Sequence, residues 1–265
     1  RTLTDPYEGQ QLGEIWGYVV DGYFKTDEEA RNYKVDQSFV NQMINASALD
    51  NGLHAGDLKF VDLDGNNKIE QTTSANDRKD MKVIGNSLPR YNYNFGISAD
   101  WYGIDFSVLF QGIGKQNWYP GAETSMFWGP YSRPYASFIP SDFMSQVWSE
   151  ENTNAYFPRP RGYVALGSNR ELAVVNTKYL QNLAYCRLKN LSIGYTLPDK
   201  WLSKIGFEKI RVYFSGENLL TFTKLHSDYI DPEQASASNS WKTSKSDANI
   251  YPWAKTYSFG VDITF

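Results

Sequence analysis

The stretch that decides the fold is Tyr257–Phe265, YSFGVDITF, in which every second side chain is apolar or aromatic. Small or polar residues stand between them, so the alternation has a period of two without an exception. This period predicts a β-strand with one apolar and one polar face. Tyr93–Trp101 and the stretch from Ile104 to Gln111 repeat the pattern on either side of Tyr102–Gly103, with Leu109 as the exception. Two alternating runs separated by a two-residue loop that contains glycine are typical of a β-hairpin.

The same patterning predicts about six strands along the chain. They cover residues 15–24, 91–101, 104–112, 185–195, 209–218 and 253–265. The connections between them are in turn long, short, long, short and long. A compact soluble domain rarely contains several long structureless loops, whereas a transmembrane barrel joins its strands by short periplasmic turns and long extracellular loops.

The order of the connections agrees with a barrel. If the last strand ends in the periplasm, both short turns fall on the periplasmic side and all three long loops fall outside. We therefore predict an all-β fold, a transmembrane antiparallel β-barrel with long extracellular loops and an apolar face toward outer-membrane lipid. The alternative is a soluble β-sandwich that buries the same faces.

Composition excludes several classes of protein. The net charge of −4 over 265 residues argues against a nucleic-acid partner. A single cysteine, Cys186, excludes an internal disulfide and a thiolate metal cluster. There is no apolar run of the roughly 18 residues that a transmembrane helix requires.

Several blocks of the sequence resemble the SusC/RagA family, the TonB-linked outer-membrane transporters of the Bacteroidota. They stand in the family's order over nearly the whole chain: GEIWGYVVDGYF, GDLKFVDLDGNNKIE, NDRKDMKVIGNSLPRYNYNFGISADWYGIDFSVLFQG, YLQNLAYCRLKNLSIGYTLP, IRVYFSGENLLTFTK and the terminal YSFGVDITF. The resemblance implies that residues 1–265 form the C-terminal part of a 22-stranded barrel domain. We find no plug domain and no TonB box in them, and we expect the chain to be a portion of a longer polypeptide.

The resemblance also implies a function. Such a protein is expected in the outer membrane of a Gram-negative bacterium, where it imports glycans, in particular oligosaccharides. The TonB complex would energise import through the missing N-terminal region, and a SusD-like surface lipoprotein would deliver the substrate. Import of peptides by the same class of transporter is the alternative. No nucleophile, metal-protease or phosphate-binding motif is present, so we expect no enzyme activity.

An acidic loop, DLDGNNKIE, predicts a cation site. Asp62, Asp64, Asn66 and the carbonyl of Lys68 stand at positions typical of an EF-hand-like loop, and such oxygen clusters favour Ca²⁺. Asn67 replaces the usual glycine, and the closing carboxylate is displaced, which leaves Asp77 as the candidate ligand. The alternative is an Asx-rich turn without an ion. A soluble, calcium-braced β-sandwich that binds carbohydrate is the corresponding alternative function.

Aromatic residues are dense in the long loops. Such rings stack on sugars or anchor protein interfaces, although they also pack loops against themselves. We take as candidates for contact with substrate or partner Trp118, Trp128, Tyr131, Tyr135 and Trp241. In the last long loop, His226, Asp228, Asp231 and Glu233 are further candidates for ligand contact together with Trp241, with solvated loop residues as the alternative.

Overall fold

A computed structural model describes residues 6–41, 52–132, 139–160, 163–167, 170–202, 206–238, 245–246 and 251–265. Its strands are β1 Glu14–Tyr18, β2 Val20–Tyr23, β3 Leu58–Phe60, β4 Met81–Asn86, β5 Arg90–Trp101, β6 Ile104–Lys115, β7 Asn117–Pro120, β8 Gln181–Asn182, β9 Tyr185–Thr196, β10 Lys209–Thr223, β11 Lys245–Ser246 and β12 Thr256–Thr264. Its helices are α1 Asp27–Arg31, α2 Ser125–Trp128, α3 Asp199–Leu202 and α4 Pro232–Ser238. No helix in these ranges is both long and apolar enough to cross a membrane.

Five long strands form one antiparallel sheet in the order β12-β10-β9-β6-β5. Trp101 lies opposite Ile104 beside the two-residue turn, and Lys209 lies opposite Thr264 at the same end of the sheet. The two short connections therefore share one end, and the three long connections leave from the other. Five of the six predicted strands overlap strands of this sheet, whose outer members β12 and β5 do not pair with each other within the described residues.

The sheet has one apolar and one polar face, as the alternation predicts. On β12, Phe259 is 82% exposed and Val261 is 58% exposed, and on β5 Ile97 is 63% exposed. The Phe259 ring lies beside Phe214 of β10, with 5.2 Å between the ring centroids, so the apolar face is continuous across neighbouring strands. A broad exposed apolar surface of this kind marks contact with another apolar phase or a partner.

The prediction of one strand over 15–24 is wrong. The segment is divided into β1, which pairs with β4, and β2, which pairs with β3, and neither joins the five-stranded sheet. Gly22 has a φ of 96°, outside the range of a regular strand. Ile15 and Phe24 are fully buried and Tyr18 is nearly so. Because side chains on both faces of this segment are buried, it belongs to the interior of a folded unit and is not a strand with one exposed apolar face.

The long connections fold into a unit of their own, which we call the loop body: residues 14–89, 116–184 and 224–255, where described. Its core draws on all three connections: the first and second supply its aromatic side chains, and the third supplies Leu225, Ile230 and Ala235. The largest of its fully buried side chains include Trp118, Trp128, Tyr119, Phe157 and Tyr179. Hydrogen bonds from the Tyr23 hydroxyl to the Tyr156 carbonyl and between the Tyr23 and Tyr179 hydroxyls join the first connection to the second.

Candidate functional site

The acidic loop after β3 closes on its own carboxylates. Asp62 accepts hydrogen bonds from the backbone N–H groups of Gly65 and Asn67, each at 2.7 Å. Asn67 has a φ of 62°, a left-handed conformation that asparagine tolerates better than most residues. Asn therefore meets at this position the conformational requirement for which a glycine is usual.

A third carboxylate, that of Asp80, joins this loop from the residue before β4. Its two oxygens accept hydrogen bonds from the N–H groups of Leu63 at 2.8 Å and Glu70 at 2.7 Å, and the residue is fully buried. One oxygen from each of Asp62, Asp64 and Asp80 lies within 4.8 Å of the others. We call these three residues the acidic cluster.

The structure places one predicted ligand outside the acidic cluster, and all ligand roles stay predictions. Asp77 is not in the acidic cluster: its carboxylate lies 3.9 Å from the Lys79 ammonium, and Asp80 occupies the closing position instead. Asn66 bonds through its amide nitrogen to Asp64 at 3.2 Å and accepts from Lys68 N–H at 2.8 Å. Asn66 thus lies beside the cluster, and a role for the Lys68 carbonyl stays a prediction.

The carboxylates of the acidic cluster differ in their electrostatic environment. Burial raises the pKa of Asp80, and the nearby charges of Asp64 and Asp62 raise it further, against the lowering effect of its two backbone donors. The pKa of Asp62 is lowered, because hydrogen bonds from the backbone of Asn67 and Gly65 outweigh the opposing effect of burial. The two carboxylates are therefore held in different environments only a few ångströms apart. A divalent cation would relieve their mutual repulsion.

Three of the loop aromatics predicted to face a substrate or partner are buried instead. Trp118 and Trp128 are fully buried and Tyr131 is 2% exposed. Trp128 Nε1 donates to the Gly121 carbonyl at 2.9 Å, and the Tyr131 hydroxyl donates to the Pro158 carbonyl at 2.7 Å. Rings whose polar atoms are bonded inside the protein form a core, so this part of the prediction is wrong. Tyr135 and Trp241 lie outside the described residues.

A buried ion-pair network attaches the last long connection to β9. The side chain of Arg187 is 1% exposed and donates to Asp231 at 2.5 Å, to Glu233 at 2.7 Å and to the Thr221 hydroxyl at 3.0 Å. Asp231 also accepts from Glu233 N–H at 2.9 Å at the start of α4. Sequence reasoning named both acids as loop candidates but missed Arg187, whose position within a strand gave no signal of a partner in a loop.

Comparisons with known proteins place these features in context. No family model matches the chain. TonB-dependent receptor P3 of Formosa agariphila is 29% identical over 264 residues, which are 97% of this chain and 22% of that receptor. TonB-dependent receptor P39 of the same organism is 26% identical over 283 residues, 97% of this chain and 25% of that receptor. The chain thus spans about a quarter or less of the length of these relatives.

Solved structures agree at the level of the fold. A chain of the RagAB peptide importer in its 'open-open' state superposes on the whole of this chain with a TM-score of 0.57 and 18% identity, over 25% of its own length. The 'closed-closed' state of that importer gives a TM-score of 0.54 over 98% of this chain. The fold is accordingly that of a part of such a chain. The resemblance to the SusC/RagA kind is thus confirmed as a resemblance: the chain is similar in sequence to part of TonB-dependent receptors and in fold to part of a chain of the RagAB importer.

Proposed function

We propose that this chain is the C-terminal part of the 22-stranded barrel of a TonB-dependent transporter in a bacterial outer membrane. The observation that carries the proposal is the five-stranded sheet with a continuous exposed apolar face and a polar opposite face. In such a barrel the apolar face contacts lipid, and the polar face lines a lumen that is filled with water or with a plug. The remaining strands would pair with β5 and β12, because an unpaired strand edge in lipid costs several kcal/mol for each exposed backbone group.

The proposed cargo of the full-length transporter is an oligosaccharide, delivered by a SusD-like surface lipoprotein and moved with energy from the TonB complex. Peptide import is the second candidate, since one structural neighbour, RagAB, is a peptide importer. Neither candidate requires covalent chemistry from these residues. The homologues support a transporter and not an enzyme.

We further propose that the acidic cluster binds Ca²⁺ and braces the loop body on the extracellular side. Three carboxylates, two of them in hydrogen-bonded loop positions, offer the hard oxygen ligands that Ca²⁺ prefers. The nearby lysines do not neutralise the cluster, because Lys68 and Lys79 both pair with Glu70. A cation there would fix the first long connection against the start of β4.

Growth and uptake in a strain that lacks the full-length gene test the function. Complementation with the intact gene is expected to restore growth on one class of oligosaccharide, and a variant without the TonB box is expected to fail. Restoration on peptides alone would favour the second candidate. Extraction addresses the fold: recovery of the full-length protein from cells without detergent would contradict the barrel and favour a soluble sandwich.

A further inference from the structure

A polar cavity of about 220 Å³ lies between the polar face of β9 and β10 and the last long connection. Its lining includes Arg187, Thr221, Thr223, Asp228, Trp253 and Lys255. Arg187 forms the buried floor, whereas Trp253 stands at the rim with 49% of its surface exposed. The cavity thus combines one aromatic ring with hydroxyl, carboxylate and ammonium groups at the outer end of the sheet.

The carboxylate of Asp231 joins two sides of this cavity. One oxygen of Asp231 accepts from Arg187, and the same oxygen accepts from the backbone N–H of Trp253 at 3.4 Å. The Lys189 ammonium lies 5.5 Å from the centre of the Trp253 ring, within cation–π range. Trp253 is therefore linked to β9 both through Asp231 and through Lys189.

A β-bulge shapes the strand side of the cavity. The pairing of β10 with β9 shifts register between Glu217 and Leu220, and Asn218 in the bulge has a φ of 54°. Its amide nitrogen donates to the Ala254 carbonyl at 3.4 Å, next to Trp253. Bulges of this kind redirect side chains near binding sites, and asparagine tolerates the left-handed conformation that this bulge requires.

We propose that this cavity binds a single sugar unit of a neutral oligosaccharide. The proposal rests on the transporter function proposed above and assigns its cargo class. Sugars offer hydroxyl groups to mixed donors and acceptors and an apolar ring face to an indole, and the cavity supplies both kinds of contact. Its volume is below the roughly 300–1,000 Å³ of pockets for drug-sized ligands, which suits one ring and not a whole oligosaccharide.

The same geometry disfavours the other cargo classes. Extended peptides are often bound by pairing with an exposed strand edge, but β9 and β10 each have a strand on both sides. The charged lining residues, Arg187, Lys255, Asp228 and Asp231, sum to zero, and three nitrogens of Arg187 already donate to Thr221, Asp231 and Glu233, so the cavity offers no net positive charge to an anionic ligand. A neutral polyol requires neither a free edge nor an unpaired positive charge.

Binding of a panel of neutral hexasaccharides to the full-length transporter in detergent tests the inference. Calorimetry would use hexasaccharides of glucose, mannose, galactose and xylose, together with a panel of decapeptides. Trp253→Ala is expected to weaken the best hexasaccharide by about tenfold, the size of a lost aromatic stacking contact. Trp253→Phe is expected to recover part of the affinity. Trp201→Ala removes another exposed tryptophan, 61% exposed, in α3 at the opposite end of the sheet, and serves as the matched control.

The outcomes separate this inference from the function it rests on. A hexasaccharide that binds wild type and Trp253→Ala equally overturns the cavity while leaving oligosaccharide import intact. Binding of peptides but of no hexasaccharide overturns both the sugar assignment and the oligosaccharide cargo. A failure of all ligands at millimolar concentration also overturns the cavity, and the growth test then judges the transporter separately. Retention of the folded band on an unheated gel excludes misfolding of each variant.

Discussion

The guanidinium of Arg211 on β10 reaches across β9 to the carboxylate of Asp105 on β6, with Nε–Oδ1 at 2.8 Å and Nη2–Oδ2 at 2.6 Å. Gly194 of β9 lies between them. A Cβ on Gly194 would stand 2.5 Å from Asp105 Oδ1 and 2.6 Å from two nitrogens of Arg211. The absence of a side chain at this glycine therefore allows two non-adjacent strands to be joined by a bidentate ion pair.

Gly194→Ala is expected to displace this ion pair and to lower the temperature at which the folded barrel band disappears by a few degrees. Asp105→Asn should have a similar effect, because it removes the nearer of the two carboxylates that pair with Arg211; the other, that of Asp262, lies 3.2 Å from Arg211 Nη1. The double variant should be scarcely worse than either single variant, since both changes remove one interaction. Heat modifiability on gels measures the effect. Strictly additive losses would show that Gly194 acts through the backbone and not through the pair.

Arg187→Met is expected to destabilise the last long connection strongly, because it leaves buried Asp231 without its charge partner. Breaking a buried pair typically costs about 3–5 kcal/mol. Adding Asp231→Asn should restore much of the loss, since the uncompensated charge is then removed. Hydrogen exchange over residues 224–238 of the full-length protein would show faster exchange in the single variant. Equal exchange in wild type and Arg187→Met would contradict a stabilising role.

Asp80→Asn is expected to weaken Ca²⁺ binding by roughly tenfold or more, because ligand charge sets affinity in such sites. Asp77→Asn is the matched control and should change little, since Asp77 lies outside the acidic cluster. Terbium luminescence competed by Ca²⁺ measures both. Equal loss in the two variants would restore Asp77 as a ligand.

The raised pKa of Asp80 predicts the pH dependence of this site. Because a carboxylate must be deprotonated to bind a metal, Ca²⁺ affinity should fall as pH drops through the folded-state pKa, above the ordinary 3.8. Without Ca²⁺ the pH dependence of the folding stability has the opposite sign. Folding favours the protonated form of Asp80, so Asp80 contributes stability at low pH, and this contribution is lost as the pH rises through the folded-state pKa. Thermal denaturation with and without Ca²⁺ across this range checks both signs. A Ca²⁺ effect that grows at lower pH would contradict the assignment.

Local pattern was sufficient to predict the main sheet but not the loop body. The alternation in β5, β6 and β12 is a property of neighbouring residues, and each strand exposes one apolar face. By contrast, the segment around Tyr18 has a similar alternation but lies in a core. It pairs with β4 and β3, which are distant from it in the sequence, so the local pattern does not reveal its burial. Periodicity cannot tell an exposed apolar face from a buried one.

The candidate site was predictable in type more than in detail. The loop of Asp62 and Asp64 is contiguous in sequence, so its oxygen cluster could be read directly. The third carboxylate could not, since Asp77 and Asp80 both follow the loop and only the folded structure shows that Asp80 is the one held there by the N–H groups of Leu63 and Glu70. Arg187 was missed for the same reason, as its partners lie 44 and 46 residues away.

The aromatic core of the loop body predicts large losses on truncation. Trp128→Ala should destabilise the loop body by about 3–5 kcal/mol, the usual cost of deleting a buried aromatic ring. Tyr131→Phe should cost less, about 1–3 kcal/mol, because it leaves the Pro158 carbonyl without its donor. Limited proteolysis of the full-length protein measures the effect, with exposed Trp201→Ala as control. Unchanged proteolysis in Trp128→Ala would instead suit a ring that serves a partner.

The two faces of β12 give the sharpest test of the membrane assignment. Phe259 and Ser258 are neighbours on opposite faces, and each lies opposite a residue of its own kind on β10. Lysine at Phe259 would place a charge against lipid, which costs about 2–4 kcal/mol near the middle of the bilayer. Lysine at Ser258 would point toward the polar face, where water and carboxylates accept it. Phe259→Lys should therefore reduce the assembled, heat-modifiable fraction in the outer membrane, while Ser258→Lys should assemble nearly as wild type. Equal assembly of both variants would mean that the apolar face does not contact lipid. The two variants carry the same added charge, so they should differ only if one of the two faces lies against a low-dielectric phase.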